Sequence, residues 1–205
     1  MCGIAGVYCK NGKLGELKTA VSLMNEVQAR RGPDDEGVFV DGGNGLALGH
    51  RRLSILDLSK AGHQPMGYKI KNLKFKIKNY DFWITFNGEI YNFLELRKDL
   101  EKNGYKFRTK TDTEAILALY AEYGEKSFGM LRGMFAFGLW DAKKQRLFLV
   151  KDRYGIKPLY YYSDKEKLVF ASTVKAFEKS GVIPTQKNPN AFIGFLLFGS
   201  VPLPL

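Results

Sequence analysis

Histidine and cysteine are scarce in this chain, with only His50, His63, Cys2 and Cys9 among 205 residues. So few thiols and imidazoles, showing no ligand spacing, give no support for a bound metal. A disulfide framework is excluded as well. The segment from Gly3 to Tyr8 between the cysteines reads as a strand, and seven residues of strand span about 23 Å and leave the two side chains on opposite faces. Unpaired thiols point to a reducing compartment. Long apolar runs are also missing: nothing reaches the roughly 18 residues of a membrane span, and no basic flank with an apolar core suggests a signal peptide. The expectation is a cytoplasmic protein without a membrane partner. Hydrophobic residues at 45% and aromatics at 14% argue against disorder and low complexity. The length allows one large domain or two small ones.

Acidic residues are fewer than basic ones, 21 against 32, for a formal net charge of +11. Such an excess raises nucleic acid as a partner. The bases are scattered, however, apart from Lys69, Lys71, Lys74, Lys76 and Lys78, where the last three alternate with Phe75 and Ile77. That pattern reads as a strand with one solvated, lysine-guarded face. A short polyanion patch is the competing reading, and no nucleic-acid partner is expected.

Apolar residues at Leu17, Ala20, Val21, Met24 and Val27 predict a helix over Glu16 to Ala29, stopped by Gly32-Pro33. Short strands are expected at Gly37 to Val40, Leu46 to His50, Leu53 to Leu56 and Phe82 to Phe86. Helices follow at Phe93 to Asn103 and Thr113 to Tyr123, the second introduced by Thr111 and Glu114 in capping-box register. Further strands are predicted at Met134 to Trp140, Arg146 to Val150, Pro158 to Tyr162 and Leu168 to Phe170. The sum is a strand-rich α+β protein with sheets covered by helices. The apolar run from Phe192 to Phe198 reads as a domain boundary or as a segment that docks on a partner.

Several residues can carry chemistry. Cys2 follows the initiator Met1, and removal of Met1 would place a thiol and an α-amine on one residue. With pKa values near 8.5 and about 7.7 to 8.0, the amine can accept the thiol proton. A buried cysteine at a strand start is the alternative. A Cys-His pair would need His50 or His63, both of which also read as structural histidines. Asn87-Gly88 lies between a strand and a helix, where an amide donor and a backbone N–H could form an oxyanion hole; an ordinary Asn-Gly turn is the other reading. Arg31 and Arg52 are cations suited to carboxylates. Asp112, with Thr111 capping the helix, could bind a cation or simply favour the helix electrostatically.

Seven ordered motifs combine these residues: Met1-Cys2-Gly3-Ile4-Ala5-Gly6, Arg31-Gly32-Pro33-Asp34, Gly49-His50-Arg51-Arg52-Leu53-Ser54-Ile55 with Gly62-His63-Gln64-Pro65-Met66, Asn87-Gly88-Glu89-Ile90-Tyr91-Asn92, Thr111-Asp112-Thr113-Glu114, Gly133-Met134-Phe135-Ala136-Phe137, and Arg153-Tyr154-Gly155-Ile156-Lys157-Pro158-Leu159-Tyr160. Together they resemble the glutaminase domain of glutamine-hydrolysing asparagine synthetases, class II glutamine amidotransferases with an N-terminal cysteine nucleophile. The resemblance implies a four-layer α-β-β-α sandwich of two stacked antiparallel sheets, as in N-terminal-nucleophile hydrolases. It implies that Cys2 attacks the L-glutamine side-chain amide while Asn87 and Gly88 hold the oxyanion. Arg52 would bind the α-carboxylate, Glu89 and Asp112 the α-amino group. Leu53, Ser54, Ile55 and Leu56 would line the pocket partly through backbone, and Arg31 would support Cys2. The glutaminase domain is placed at 1–190, and 191–205 is read as the start of a linker to a synthetase domain acting in cis or in trans. ATP and magnesium would be used there, this segment taking no cofactor and no metal. A homodimer is a further partner to consider. Two alternatives remain at this point: the same chemistry serving another acceptor, such as a sugar phosphate or phosphoribosyl group, and a non-catalytic basic binding module. The segment from Gly67 to Phe86 is longer than this resemblance leads one to expect and reads as a peripheral hairpin.

Overall fold

The computed structural model describes residues 1–69, 82–186 and 188–201. Its strands are β1 (Gly3–Cys9), β2 (Asp35–Asp41), β3 (Leu46–Arg52), β4 (Met66–Tyr68), β5 (Phe82–Ile90), β6 (Gly133–Asp141), β7 (Arg146–Lys151), β8 (Tyr160–Ser163) and β9 (Lys167–Ala171). The helices are α1 (Leu14–Val27), α2 (Phe93–Lys102), α3 (Asp112–Tyr123), α4 (Val174–Ser180) and α5 (Pro189–Phe198). One sheet has the order β2-β3-β1-β9-β8 and the other β4-β5-β6-β7. Each described pairing is antiparallel.

The two-residue alternation of each strand builds the layers. From β1, Ala5 and Val7 pack with Leu17, Ala20, Val21 and Met24 of α1 and with Ala176 and Phe177 of α4. Ile4, one residue out of phase, joins Leu46, Leu48 and Phe170 against Ala136 and Trp140 of the second sheet. From β5, Ile84 and Phe86 pack with Ile116 and Leu119 of α3 and Leu96 and Leu100 of α2. The result is helix, sheet, sheet, helix: the α+β sandwich expected from the sequence. Phe170 of β9 leans across its ladder partner Gly6 and reaches Gly138 in the facing sheet. A Cβ at either glycine would overlap the ring, so the sheets approach closely only because both positions lack one.

Three local expectations change. Leu53 to Leu56 is loop rather than strand, with Ile55 and Leu56 exposed; these apolar side chains face a cavity instead of a sheet. The Asn87-Gly88 pair lies inside β5, opposite Ala136 and Phe135, and the turn into α2 comes later, at Tyr91 and Asn92. The capping box is only half formed. Thr111 Oγ accepts from Glu114 N–H at 3.3 Å, but the Glu114 carboxylate turns to the N–H groups of Arg108 and Thr109. Most of the lysine-rich segment, 70–81, lies outside the described residues, as does any hairpin expected there. Among the described residues, no helix is long and apolar enough to cross a membrane.

Candidate active site

Alternation also decides what meets between the sheets. Cys2 precedes β1 in phase with Ile4, on the inter-sheet side. On β5, Asn87 and Glu89 share phase with Thr85, whose hydroxyl donates across the gap to Gly49 O at 2.8 Å. These positions therefore converge from opposite sheets. A cavity of about 240 Å³ opens there, its wall including Cys2, Arg52, Asn87, Gly88, Glu89 and Asp112.

The Cys2 thiol is held by one backbone unit. Leu53 N–H donates to Sγ at 3.4 Å, and Sγ lies 3.7 Å from Leu53 O. Burial pushes the thiol pKa up, against the opposing effects of the Leu53 N–H and the chain's N-terminal charge. Neither histidine reaches it. The Thr85 hydroxyl already donates to Gly49, so His50 Nδ1 donates to it at 3.1 Å, while His63 Nδ1 pairs with Asp35 at 2.8 Å. A Cys-His pair is thus not assembled here. Arg31 lies behind the thiol rather than on the cavity wall and donates from Nε to Cys2 O at 3.0 Å.

Asn87 is 1% exposed, and its Nδ2 has no hydrogen-bond partner. Among the described residues no group takes this donor, so it is left for whatever occupies the cavity. Gly88 beside it cannot hold a Cβ, which would strike Met134 O and the Phe135 backbone.

Two carboxylates and two cations complete the wall. Asp112, in the first turn of α3, is 4% exposed and accepts from Ile90 N–H at 2.9 Å. Burial raises its pKa to about 7; the Ile90 bond opposes the shift and the neighbouring Glu89 charge adds to it. Burial also raises Glu89, with Lys157 opposing. Arg52 donates to the carbonyls of Asp57 and Ser59 and so holds the 53–60 loop over the site. Of that loop, Leu53, Ile55 and Leu56 line the cavity, whereas Ser54 lines the adjacent hollow and gives its N–H to Asp34 at 2.7 Å.

The glutamine amidotransferase domain family matches this chain over residues 1–205. The chain belongs to that family. This amidotransferase domain is 41% identical, over its full length, to a putative glutamine-hydrolysing asparagine synthetase 2 of Methanocaldococcus jannaschii, covering 40% of that protein. It is 42% identical to the glutamine-hydrolysing asparagine synthetase 1 of Bacillus subtilis, over 86% of the chain and 26% of the relative. The chain therefore spans less than half the length of these relatives. Its fold matches the glutamine phosphoribosylpyrophosphate amidotransferase of B. subtilis with a TM-score of 0.68 and 20% identity, over 87% of this chain and 43% of that one.

Some residues of the amidotransferase domain's cavity carried no assigned role in the sequence: Gln64, Thr113, Met134 and Lys157. Lys157 is placed by Asp152, whose carboxylate accepts from the N–H groups of Phe135, Tyr154, Ile156 and Lys157 at 3.0–3.1 Å. Burial works to raise the Asp152 pKa, but these bonds outweigh it and the net shift is downward. All four stood inside recognised motifs, and no other feature of the sequence gave them a role at the site. Among the described residues, no group of three or more His, Cys, Asp or Glu side chains could hold a metal ion.

Proposed function

We propose that this chain is a glutaminase that releases ammonia from L-glutamine through a thioester at Cys2. The observation that carries the reading is the unpartnered Nδ2 of Asn87 on the wall of the cavity that Cys2 also lines. Removal of Met1 frees the Cys2 α-amine, which takes the thiol proton as Sγ attacks the side-chain carbonyl carbon. Asn87 Nδ2 and Gly88 N–H receive the oxyanion, a stabilisation worth roughly 2.7–4 kcal/mol per donor in comparable sites. The C–N bond then breaks, ammonia leaving with the transferred proton, and water hydrolyses the thioester to glutamate and free thiol. Arg52 binds the α-carboxylate, while Glu89 and Asp112 bind the α-ammonium, whose charge offsets the half-buried Glu89 and buried Asp112 carboxylates. Leu53, Ile55 and Leu56 close the pocket partly through backbone, while Ser54, expected among them, faces the adjacent hollow instead, and Arg31 supports Cys2.

In this reading the ammonia passes to a synthetase domain, in cis or in trans, that uses ATP and magnesium to amidate aspartate; the names and greater length of the two curated relatives support it. The domain boundary is placed near residue 190. Beyond it α5 buries only Gly194 and exposes Phe192, Phe195, Leu196 and Phe198 by 55–70%, a face suited to that domain, with a homodimer as the competing occupant. A cytoplasmic setting fits the two free thiols. The test is glutamate release from glutamine by the purified chain without ATP or aspartate, which Cys2→Ala should abolish. Equal rates in parent and variant would refute the reading. Asparagine formation by this chain alone would refute the two-domain part.

A further inference from the structure

Strand β5 has an unusual outer edge. β4 pairs with it only from Met66↔Ile84 to Tyr68↔Phe82. Extending that register would put Gln64 opposite Phe86 and Gly62 opposite Gly88. The main chain does not follow, since the carbonyl of Gln64 turns instead toward Gly37 in the other sheet. The side chain returns in its place: Gln64 Oε1 accepts from Phe86 N–H at 2.7 Å. At the other end of the edge, Ile90 N–H is taken by the Asp112 carboxylate. Backbone N–H groups two residues apart on a strand point the same way, so Gly88 directs its N–H to this edge between two N–H groups already capped by side chains. Phe135, opposite Gly88, exchanges its own N–H and C=O with Asp152 on the far side of β6, as that phase requires. The cavity lies where β4 would have covered Gly88.

We propose that Gln64 is a positioning residue for the oxyanion donors, holding β5 open at Gly88 by standing in for the strand that turned away. Its Nε2 also donates to Thr113 Oγ1 at 3.3 Å, one residue from Asp112, so a single amide ties the oxyanion strand to the helix that carries the proposed amine site. Gln64 is 6% exposed and lines the cavity, yet both its amide atoms are already engaged, by Phe86 N–H and Thr113 Oγ1. Its action runs through Phe86, the residue before Asn87.

This inference rests on the glutaminase reading, and the test separates the two. Gln64→Met keeps the side-chain length and removes both amide atoms. The expected result is a fall in kcat for glutamine hydrolysis of about 10- to 100-fold, since small misplacements of a preorganised donor carry losses of that order, with KM within about threefold. Alkylation of Cys2 by iodoacetamide, followed on the Cys2 peptide by mass spectrometry, develops no oxyanion and should keep the parent rate. Gln64→Glu returns an acceptor to Phe86 N–H and should recover most of the lost kcat. Parent-like kcat in Gln64→Met, alkylation falling in step with kcat, or no recovery in Gln64→Glu would each overturn the proposal. Should Gln64→Met fail to fold, Thr113→Val severs the other end of the amide alone. A kcat loss of threefold or more with parent-like alkylation would support the proposal, and parent-like kcat would overturn it. A parent chain that releases no glutamate from glutamine brings down the glutaminase reading itself.

Discussion

Asp112→Asn should stabilise the ligand-free protein while disabling it. The Asp112 carboxyl is 4% exposed, and its pKa rises from 3.8 to about 7, chiefly through burial. Because the folded-state value is raised, the sign is unfavourable to folding at neutral pH. Below about pH 4 both folded and unfolded carboxyls are protonated and nothing is lost. Between about pH 4 and 7 the unfolded chain ionises while the folded one holds its proton, so stability falls by about 1.4 kcal/mol per pH unit. Above pH 7 the full difference, up to about 4 kcal/mol, has accumulated. Asparagine cannot ionise, retains an oxygen for Ile90 N–H, and removes the repulsion with Glu89. At about 2–4 °C per kcal/mol for a chain of this size, the variant should melt several degrees above the parent at pH 8 and with it at pH 4. Thermal melts by circular dichroism from pH 4 to 8.5 would show the gap widening. Glutamine should raise the parent's Tm and leave the variant's unmoved, with kcat/KM falling roughly 10- to 100-fold as one charge-assisted bond is lost. A variant less stable at pH 8, or a gap independent of pH, would refute the idea that an uncompensated buried carboxylate is kept for the substrate.

Asn87→Ala should lower kcat by roughly 100-fold or more with a smaller change in KM; steady-state kinetics showing a pure KM defect would reassign Asn87 to substrate binding. Intact-mass measurement on active protein should find Met1 removed, and Cys9→Ala, on the helix-facing side of β1, should keep the activity that Cys2→Ala loses. His50 is fully buried and its pKa falls to about 3, through burial first and the Arg52 charge second. Its neutral ring withholds a proton that the unfolded chain accepts below about pH 6.5, so stability should drain away between pH 6.5 and 3, by up to about 5 kcal/mol, and urea titrations of His50→Gln should show a shallower acid loss. Finally, the +11 charge should not confer sub-micromolar nucleic-acid binding; salt-sensitive binding weakened by replacing Lys74, Lys76 and Lys78 would reverse that.

What could be read in advance followed chain period. The α1 stripe and the alternation of β1 gave a helix-covered sheet and separated Cys2 from Cys9, because both signals are local. Leu53 to Leu56 misled for the same reason: an apolar run announces burial or a wall, and only the tertiary structure tells a strand from a cavity lining. Asn87-Gly88 looked like a turn because those residue types favour turns, whereas the partner across the ladder, Phe135, has backbone so near that no side chain fits at 88. Gln64 gave no periodic signal, since its role depends on where β4 leaves the sheet, twenty-two residues before Phe86 in the chain.

The ring of Phe170 wedged between Gly6 and Gly138 acts on more than packing. In the glutaminase reading the thiol belongs to one sheet and its proposed oxyanion donors to the other, so the distance between them is the gauge of the inter-sheet gap. A phenyl group touching neither thiol nor donor serves as the shim that sets this gauge. A methyl group added at either glycine would jack the sheets apart and widen the span across which Cys2 and Asn87 must act on one carbonyl. The reaction's tolerance is thereby written into the hydrophobic core, several residues from any group that performs chemistry.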